Sequence, residues 1–438
     1  MDLVPAELSL PTPSFRGDAP LQFLREALSR RFGPDHCPIR FLVSASSERT
    51  WRCELGLLSD WRSTGLPDPA SMFEVRVRRH RNEQRFQVVF IVPTGIGADL
   101  GGHAGDAGAA ARMLAATCDT LITHPNVVNA SDINELPENG LYVEGSVLTR
   151  FLLGTAGLAP TRANRVLLVT DHLEERRIRE MAMNSASAAV ACLGMDCAGV
   201  VSLDPPLITH ARRTGSGSAT GVVSGLERLL AVLQRHRSEY DAVALHTTVL
   251  VPEGTYEHYF RGEAGAHVNP WGGAEAMLTH SVSTLLNVPS AHAPIAENMD
   301  VINFDYGETD PRMAAESVSK SFLHCVLKGL HRSPRIVTDP ALFGRDGIIS
   351  VEDVDCIVMP DGCLGLPTLA AVVQDIPVVA VRDRGNVVAN DLTALPFRRD
   401  RLFVVDNYLE AAGVLCALRA GVSVPSVSRP LGRPPTLG

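Results

Sequence analysis

The chain is short of several features, and each shortage closes a class of function. No stretch approaches the roughly 18 uninterrupted apolar residues that a membrane-spanning helix requires. Six tyrosines and three tryptophans are too few for an aromatic platform on which single-stranded nucleic acid or glycans stack. With 40 basic and 49 acidic residues the formal charge is −9, so no cationic field recruits nucleic acid by counterion release. Nine cysteines are scattered without a CxxC pair, which leaves zinc–thiolate and disulfide frameworks without support. The first residues, MDLVPAELSL, lack the basic and apolar zones of a secretory signal. Together these absences predict a cytoplasmic protein with reduced thiols and with neither nucleic acid nor membrane as partner. The basic run Arg76 to Arg85 reads as a solvated hairpin or edge strand rather than a binding patch.

At 438 residues, 45% hydrophobic and 20% charged, the chain has the composition of a globular protein with two or more domains. Residues 1–19 are proline-rich and read as a flexible arm, and residues 20–85 as a small α+β module. In that module the apolar spacing of LQFLREALSRR predicts a helix over 21–31, stopped by Gly33-Pro34. IRFLVSA (39–45), WRCELGLL (51–58) and MFEVRVR (72–78) read as strands. From Phe86 the rhythm changes to short Val/Ile/Leu strands alternating with alanine-rich helices. Strands are predicted at 88–93, 120–124, 165–171, 197–203, 241–250, 355–360, 376–381 and 401–406. Helices are predicted at 109–118, 184–194, 225–236, 314–330 and 366–374. Strands that are apolar throughout belong to parallel sheets covered by helices on both faces. The expected fold class is α/β: mostly parallel sheets flanked by helices, in two α/β lobes (86–210 and 221–422) around a cleft. DTLITHPNVVN (119–129) and DCIVMPDGCLG (355–365) share a layout that would suit two facing lobes, although any parallel strand before a loop looks this way. HARRTGSGSAT (210–220) reads as a flexible loop and residues 423–438 as a disordered tail.

The chemistry concentrates in 88–145. An apolar strand enters a turn holding Thr94, Gly95, Gly97, Gly102, His103 and Asp106 before an alanine-rich helix. Strand, glycine turn and helix N-terminus make a candidate anion site, because backbone N–H groups can approach a phosphate or carboxylate there. The turn does not spell GxGxxG or a P-loop, and a tight turn for close packing is the competing reading. His103, Asp106 and His124 have the types of a two-histidine, one-carboxylate site for a divalent metal, without the HExxH spacing that fixes two ligands on one element. Without metal, His103 orders the loop, Asp106 caps the helix, and His124 becomes the candidate general acid or base. Asn126 and Asn129 can bind a substrate carboxylate or amide, or order the loop as Asx turns. Glu144, ending LYVEG, is a general base or the ion-pair partner of Arg150.

A second cluster, AGAHVNPWGGAEAMLTHSV followed by SAHAP, contributes His267, Asn269, Glu275, His280 and His292. Five residues separate Glu275 from His280, which puts them on different helix faces, and His292 reads as a loop residue before Pro294. Cys363 sits in a glycine-flanked turn before a helix, where a thiol pKa falls, so it is a candidate nucleophile or else a small buried side chain. Cys325 reads as core.

The motifs PTGIGADLGGHAGDA (93–107), LITHPNVVN (121–129), LYVEG (141–145), NPWGGAEAMLTH (269–280), AHAP (291–294) and FLHCVLKGL (322–330) together resemble a family catalogued as domain of unknown function 3326, common in cyanobacteria and plants. The likeness covers most of 40–390. It implies that Gly95, Gly97, Gly102, Asp106, His124, Asn126, Asn129, Glu144, Glu275 and His280 stand at family motif positions, and it implies no assigned reaction. Asn269, where the family carries an acidic residue, and RDRGN (382–386), where a shorter turn is usual, depart from its pattern.

The function expected from the residues is an enzyme for a small carboxylate- or amide-bearing metabolite, working by hydrolysis, or by elimination or isomerisation beside a carbonyl. Catalysis falls to His124, Glu144, His280, Asp106 and Cys363, with or without a divalent metal, and a homo-oligomer is compatible with the chain. Two further readings stand beside it: a nucleotide- or phosphosugar-dependent transferase using 362–381, and a non-catalytic two-lobed metabolite-binding protein.

Overall fold

The apolar runs between 87 and 405 form two parallel sheets, as period-free Val/Ile/Leu strands should. The structure is a computed structural model describing residues 1–130, 132–262, 268–319, 321–345, 347–431 and 433. One parallel sheet has six strands in the order Leu402–Val405, Val378–Val381, Val354–Pro360, Gln87–Phe90, Thr120–Thr123 and Gly140–Tyr142. The other has four, Asp196–Leu203, Arg165–Asp171, Ala242–Thr248 and Ser290–Ile295. All eight strands predicted after Phe86 are present in these two sheets. The fold is therefore mixed α/β. The two segments of similar layout, 119–129 and 355–365, contribute strands to one sheet on either side of Gln87–Phe90, so their likeness marks neighbours rather than facing lobes.

A third, antiparallel sheet was not expected in this form. Its order is Ile208–Arg213, Ala219–Ser224, Asp2–Pro11, Thr50–Ser59, His36–Ser46 and Leu364–Gly365. Residues 2–11, read as an arm, are thus a strand. Pro5 and Pro11 suggested otherwise, but beyond Leu3 this strand is paired on one side only, where a missing N–H costs no ladder bond. The segment read as a flexible loop, 210–220, is a hairpin in the same sheet. The module 20–85 is consequently not separate: its helix Ala19–Phe32 and two strands are there, completed by strands from 208–224 and 364–365. The third expected strand, 72–78, is irregular. Its backbone is satisfied singly instead, with Arg76 N–H donating to Leu153 O at 2.9 Å and Arg78 N–H to Gln374 Oε1 at 2.7 Å.

Helices fill the spaces between sheets. Leu226–Arg235 buries Leu226, Leu229, Leu230 and Leu233, one stripe at helical spacing, against Leu3, Leu58 and Val243. Each such side chain contributes about 1.5–3 kcal/mol on leaving water. The helix expected over 314–330 is two pieces, Ala314–Ser317 and Leu323–His331, interrupted where Phe322 takes a positive φ of 51°. In the C-terminal segment read as disordered, Val424–Val427 forms a 3-10 turn, and positions 432 and 434–438 lie outside the described residues.

The helix Gly272–Leu286 positions the site. It lies against the antiparallel sheet so closely that a Cβ at Gly273 would overlap the Ala219 carbonyl. Met277 beneath it accepts from Thr220 Oγ1 at 3.3 Å and packs on Gly56.

Candidate functional site

Strand ends and one helix converge on a cavity of about 210 Å³. The six-stranded parallel sheet supplies Thr94, His124, Asn126, Asn129 and Glu144 from the segments that follow its strands, the position where open α/β sheets bind ligands. The four-stranded sheet supplies His292, and the helix Gly272–Leu286 supplies Glu275 and His280. Asn269 joins from the turn before that helix, its Oδ1 accepting from Trp271 N–H at 3.0 Å and Gly272 N–H at 3.1 Å. Nine of the residues singled out in the sequence therefore share one wall. His267 lies outside the described residues.

Two histidine–glutamate pairs face this cavity. Glu144 ends its strand as the N-cap of the helix Gly145–Leu152, taking Ser146 N–H at 2.9 Å and Val147 N–H at 3.1 Å on Oε2. Its Oε1 is the partner of His280 Nδ1. Burial works to raise the Glu144 carboxyl, but His280, Ser146 and the capping N–H groups outweigh it and hold the pKa below its usual value. Opposite an ionised Glu144, which has no proton to give, His280 Nδ1–H is the donor. In the second pair His292 Nδ1 meets Glu275 Oε2 at 2.9 Å, and His292 Nε2 meets Thr247 Oγ1 at 2.9 Å. Glu275 and His280 do lie on different faces of their helix, yet each finds a partner that returns it to the same cavity. His292 belongs to the strand Ser290–Ile295 rather than to a loop. Arg150 is not the partner of Glu144; its Nη2 donates to Asn287 Oδ1 at 2.8 Å.

His124 is placed otherwise than expected. Its Nε2 accepts Val92 N–H at 3.1 Å, and Asn126 Nδ2 donates to Val92 O at 2.9 Å, so the two side chains clasp one peptide segment of the neighbouring strand end. Burial lowers the His124 pKa to about 4, against the nearby Glu144 charge, which raises it. His124 is therefore a neutral imidazole whose free group is a donor, Nδ1–H, and it does not serve as a general base near neutrality. Asn129 is hydrogen-bonded to the Tyr142 hydroxyl at 3.1 Å, within the cavity wall.

The glycines of the turn are tightly packed. Gly95, Gly97 and Gly102 are not among the residues lining the cavity; Thr94 and Ala104 are. Gly95, at φ +84°, accepts Ala219 N–H on its carbonyl at 2.7 Å, and a Cβ at Gly102 would stand 2.7 Å from Ala98 O. Asp106 closes this turn by accepting Gly101 N–H at 2.8 Å and is not among the residues lining the cavity. The proposed metal set does not converge: His103 Nδ1 meets the Tyr259 hydroxyl at 2.7 Å, Asp106 holds Gly101, and His124 holds Val92. Among the described residues no group of three or more His, Cys, Asp or Glu could hold a metal ion. Cys363 is buried, and its thiol is pushed well above the usual value by burial and by Asp383 and Asp361, the reverse of an activated nucleophile. Cys325, read as core, is buried in its helix and also touches the cavity.

Sequence reading missed Glu316. Its fully buried carboxyl accepts Ala104 N–H at 2.5 Å, bonds to Tyr259 and lies 3.4 Å from Asn269 Nδ2. Burial raises its pKa to about 7, with Glu275 adding to the rise. Nothing in AAESVSKSF announced a site, because the segment resembles an ordinary helix and its neighbours are remote in the chain. Aromatic rings form part of the remaining wall, with Tyr256 and Trp271 rings 5.0 Å apart and Phe260 and Tyr306 rings 4.3 Å apart.

Comparisons with known proteins bear on this site through one relative and one family. The chain is 35% identical over 348 residues to a protein of Synechococcus sp. named an uncharacterised lipoprotein, a match covering 78% of this chain and 92% of the relative. That name overturns the expectation of a cytoplasmic protein. No helix among the described residues is long and apolar enough to cross a membrane. No solved structure matches the chain. The model of the protein family of unknown function DUF3326 matches residues 87–428, which include the strand ends, the site helix and Glu316, and the chain belongs to that family.

Proposed function

We propose that the protein is a hydrolase for a small amide- or ester-bearing metabolite, with the two parallel sheets acting as two lobes of one cleft. The observation that carries this reading is the convergence of two histidine–glutamate pairs and a carboxyl poised near neutrality on one cavity. In this reading Glu144 orients His280 so that its Nε2 removes a proton from water. Glu316, half protonated near pH 7, returns a proton to the leaving group. The His124 Nδ1–H and the amides of Asn126 and Asn129 orient the substrate carbonyl. Groups whose environments push their pKa values apart are the usual signature of an acid and a base. The chemistry needs no metal in this scheme. Purified protein and its His280→Ala variant, each incubated with a metabolite extract, test it. Mass spectrometry should find a compound consumed with gain of water by the parent protein and spared by the variant; equal profiles for both overturn the assignment.

The name of the Synechococcus relative, an uncharacterised lipoprotein, favours a second reading, a tethered metabolite-binding protein that closes on its ligand without turnover. A ligand that copurifies unchanged and stabilises both proteins alike supports that reading over the first.

A further inference from the structure

A second cavity, of about 150 Å³, adjoins the first, and Thr94, His124, Gly145, Ala276 and His280 line both. Its own walls are apolar, built from Phe41, Met72, Ile91, Leu148, Met359 and Leu366. Two arginines also line it. Arg40 is buried, and its guanidinium donates from Nη2 to Thr94 O at 3.3 Å. Arg150 is buried, and its Nε and Nη1 have no hydrogen-bond partner. Among the described residues neither guanidinium forms an ion pair. Glu54 acts on Arg40 and Glu144 on Arg150 only at longer range, and Arg150 keeps two buried donors unpaired beside the apolar walls, a cost that an anion entering with an apolar body removes.

The geometry points to a subsite for an apolar chain ending in a carboxylate, held by Arg150, which makes the substrate an ω-carboxylated acyl compound. This rests on the hydrolase reading for the position of the reacting bond, at His280, but not for the binding itself. The site helix supplies a ruler. Arg150 is bonded to Asn287, seven residues beyond His280, which is about 10 Å of helix. Thr284, between them, lines the same cavity. A medium-length chain spans that distance.

Octanoate is the probe. Added to the whole protein at a hundredfold excess over its Kd, it should raise Tm by about 3 °C, and calorimetry should give a Kd at least tenfold tighter than for butyrate. Octanol, which keeps the chain and loses the charge, should bind at least tenfold more weakly. Arg150→Met should abolish the shift while leaving the unliganded Tm within a few degrees of the parent, because the lost bond to Asn287 is offset by removal of two unsatisfied buried donors. His280→Ala should still bind octanoate, which separates a failure here from a failure of the hydrolase reading. No octanoate shift in the parent protein, or the same shift in Arg150→Met, overturns the proposal. Inorganic phosphate competing as well as octanoate overturns it also, since that marks a general anion site.

Discussion

Glu144 and His280 are 136 residues apart in the chain and share a hydrogen bond in the cavity wall. The carboxylate is fixed first, by the N–H groups that open its own helix, and the imidazole is delivered to it by another helix. Glu144→Gln keeps the shape and removes the charge. Turnover should fall about 100-fold or more, the range for a disabled general base. The group's folded pKa lies below its usual 4.5, so its contribution to stability is present above that value and lost as pH falls through the lower one. Acid unfolding curves of the variant should therefore be flatter than those of the parent below about pH 4.5.

Glu316 behaves in the opposite sense. Its folded pKa of about 7 stands above the usual 4.5, so the folded state holds a proton that the unfolded state releases between these values. Stability from this group is full below 4.5 and declines as pH rises towards 7. Glu316→Gln should remove that decline, leaving the variant more stable than the parent at pH 8 and similar at pH 4. Denaturant titrations across pH measure both; a parallel pair of curves would rule out the raised pKa.

His124→Ala should cost stability, contrary to the catalytic role that its position in LITHPN suggests. The Val92 N–H loses its buried acceptor, which costs about 1–3 kcal/mol before any cavity is counted. Because the folded His124 pKa is about 4 and the usual value 6.5, the parent loses stability from this group as pH falls from 6.5 to 4. A variant with unchanged Tm at both pH values would show that the clasp on Val92 is absent.

Alkylation of the native protein with iodoacetamide at pH 8 should mark Cys192 and Cys416, which are exposed, and spare Cys363. Peptide mapping reads the result. Labelling of Cys363 at the rate of the exposed thiols would restore it as a nucleophile.

The parallel strands were legible because burial on both faces demands unbroken Val, Ile and Leu, a pattern visible within five residues. Leu121 and Ile122, or Val378 and Val379, need no partner to be recognised. The strand at 2–11 was hidden by prolines whose cost depends on which side is paired, and MFEVRVR alternates like a strand but has its N–H groups claimed by Leu153 and Gln374. At the site, residue types and strand ends marked nine wall positions, while roles depended on pairings across the chain. Nothing local to His124 tells that Val92 will occupy its lone pair, and nothing near Ala315 tells that Glu316 will be buried beside Glu275.

The family match begins at residue 87, yet the site helix rests on strands that precede it. Removing residues 1–86 would strip away Asp2–Pro11, His36–Ser46 and Thr50–Ser59, expose Met277, and open the chamber that Arg40 and Phe41 help enclose. The segment matched by the family and the segment that supports the site helix are thus different lengths of the same chain. A fragment cut at the family border would carry nearly every polar group of the site but would lack the floor that aims them.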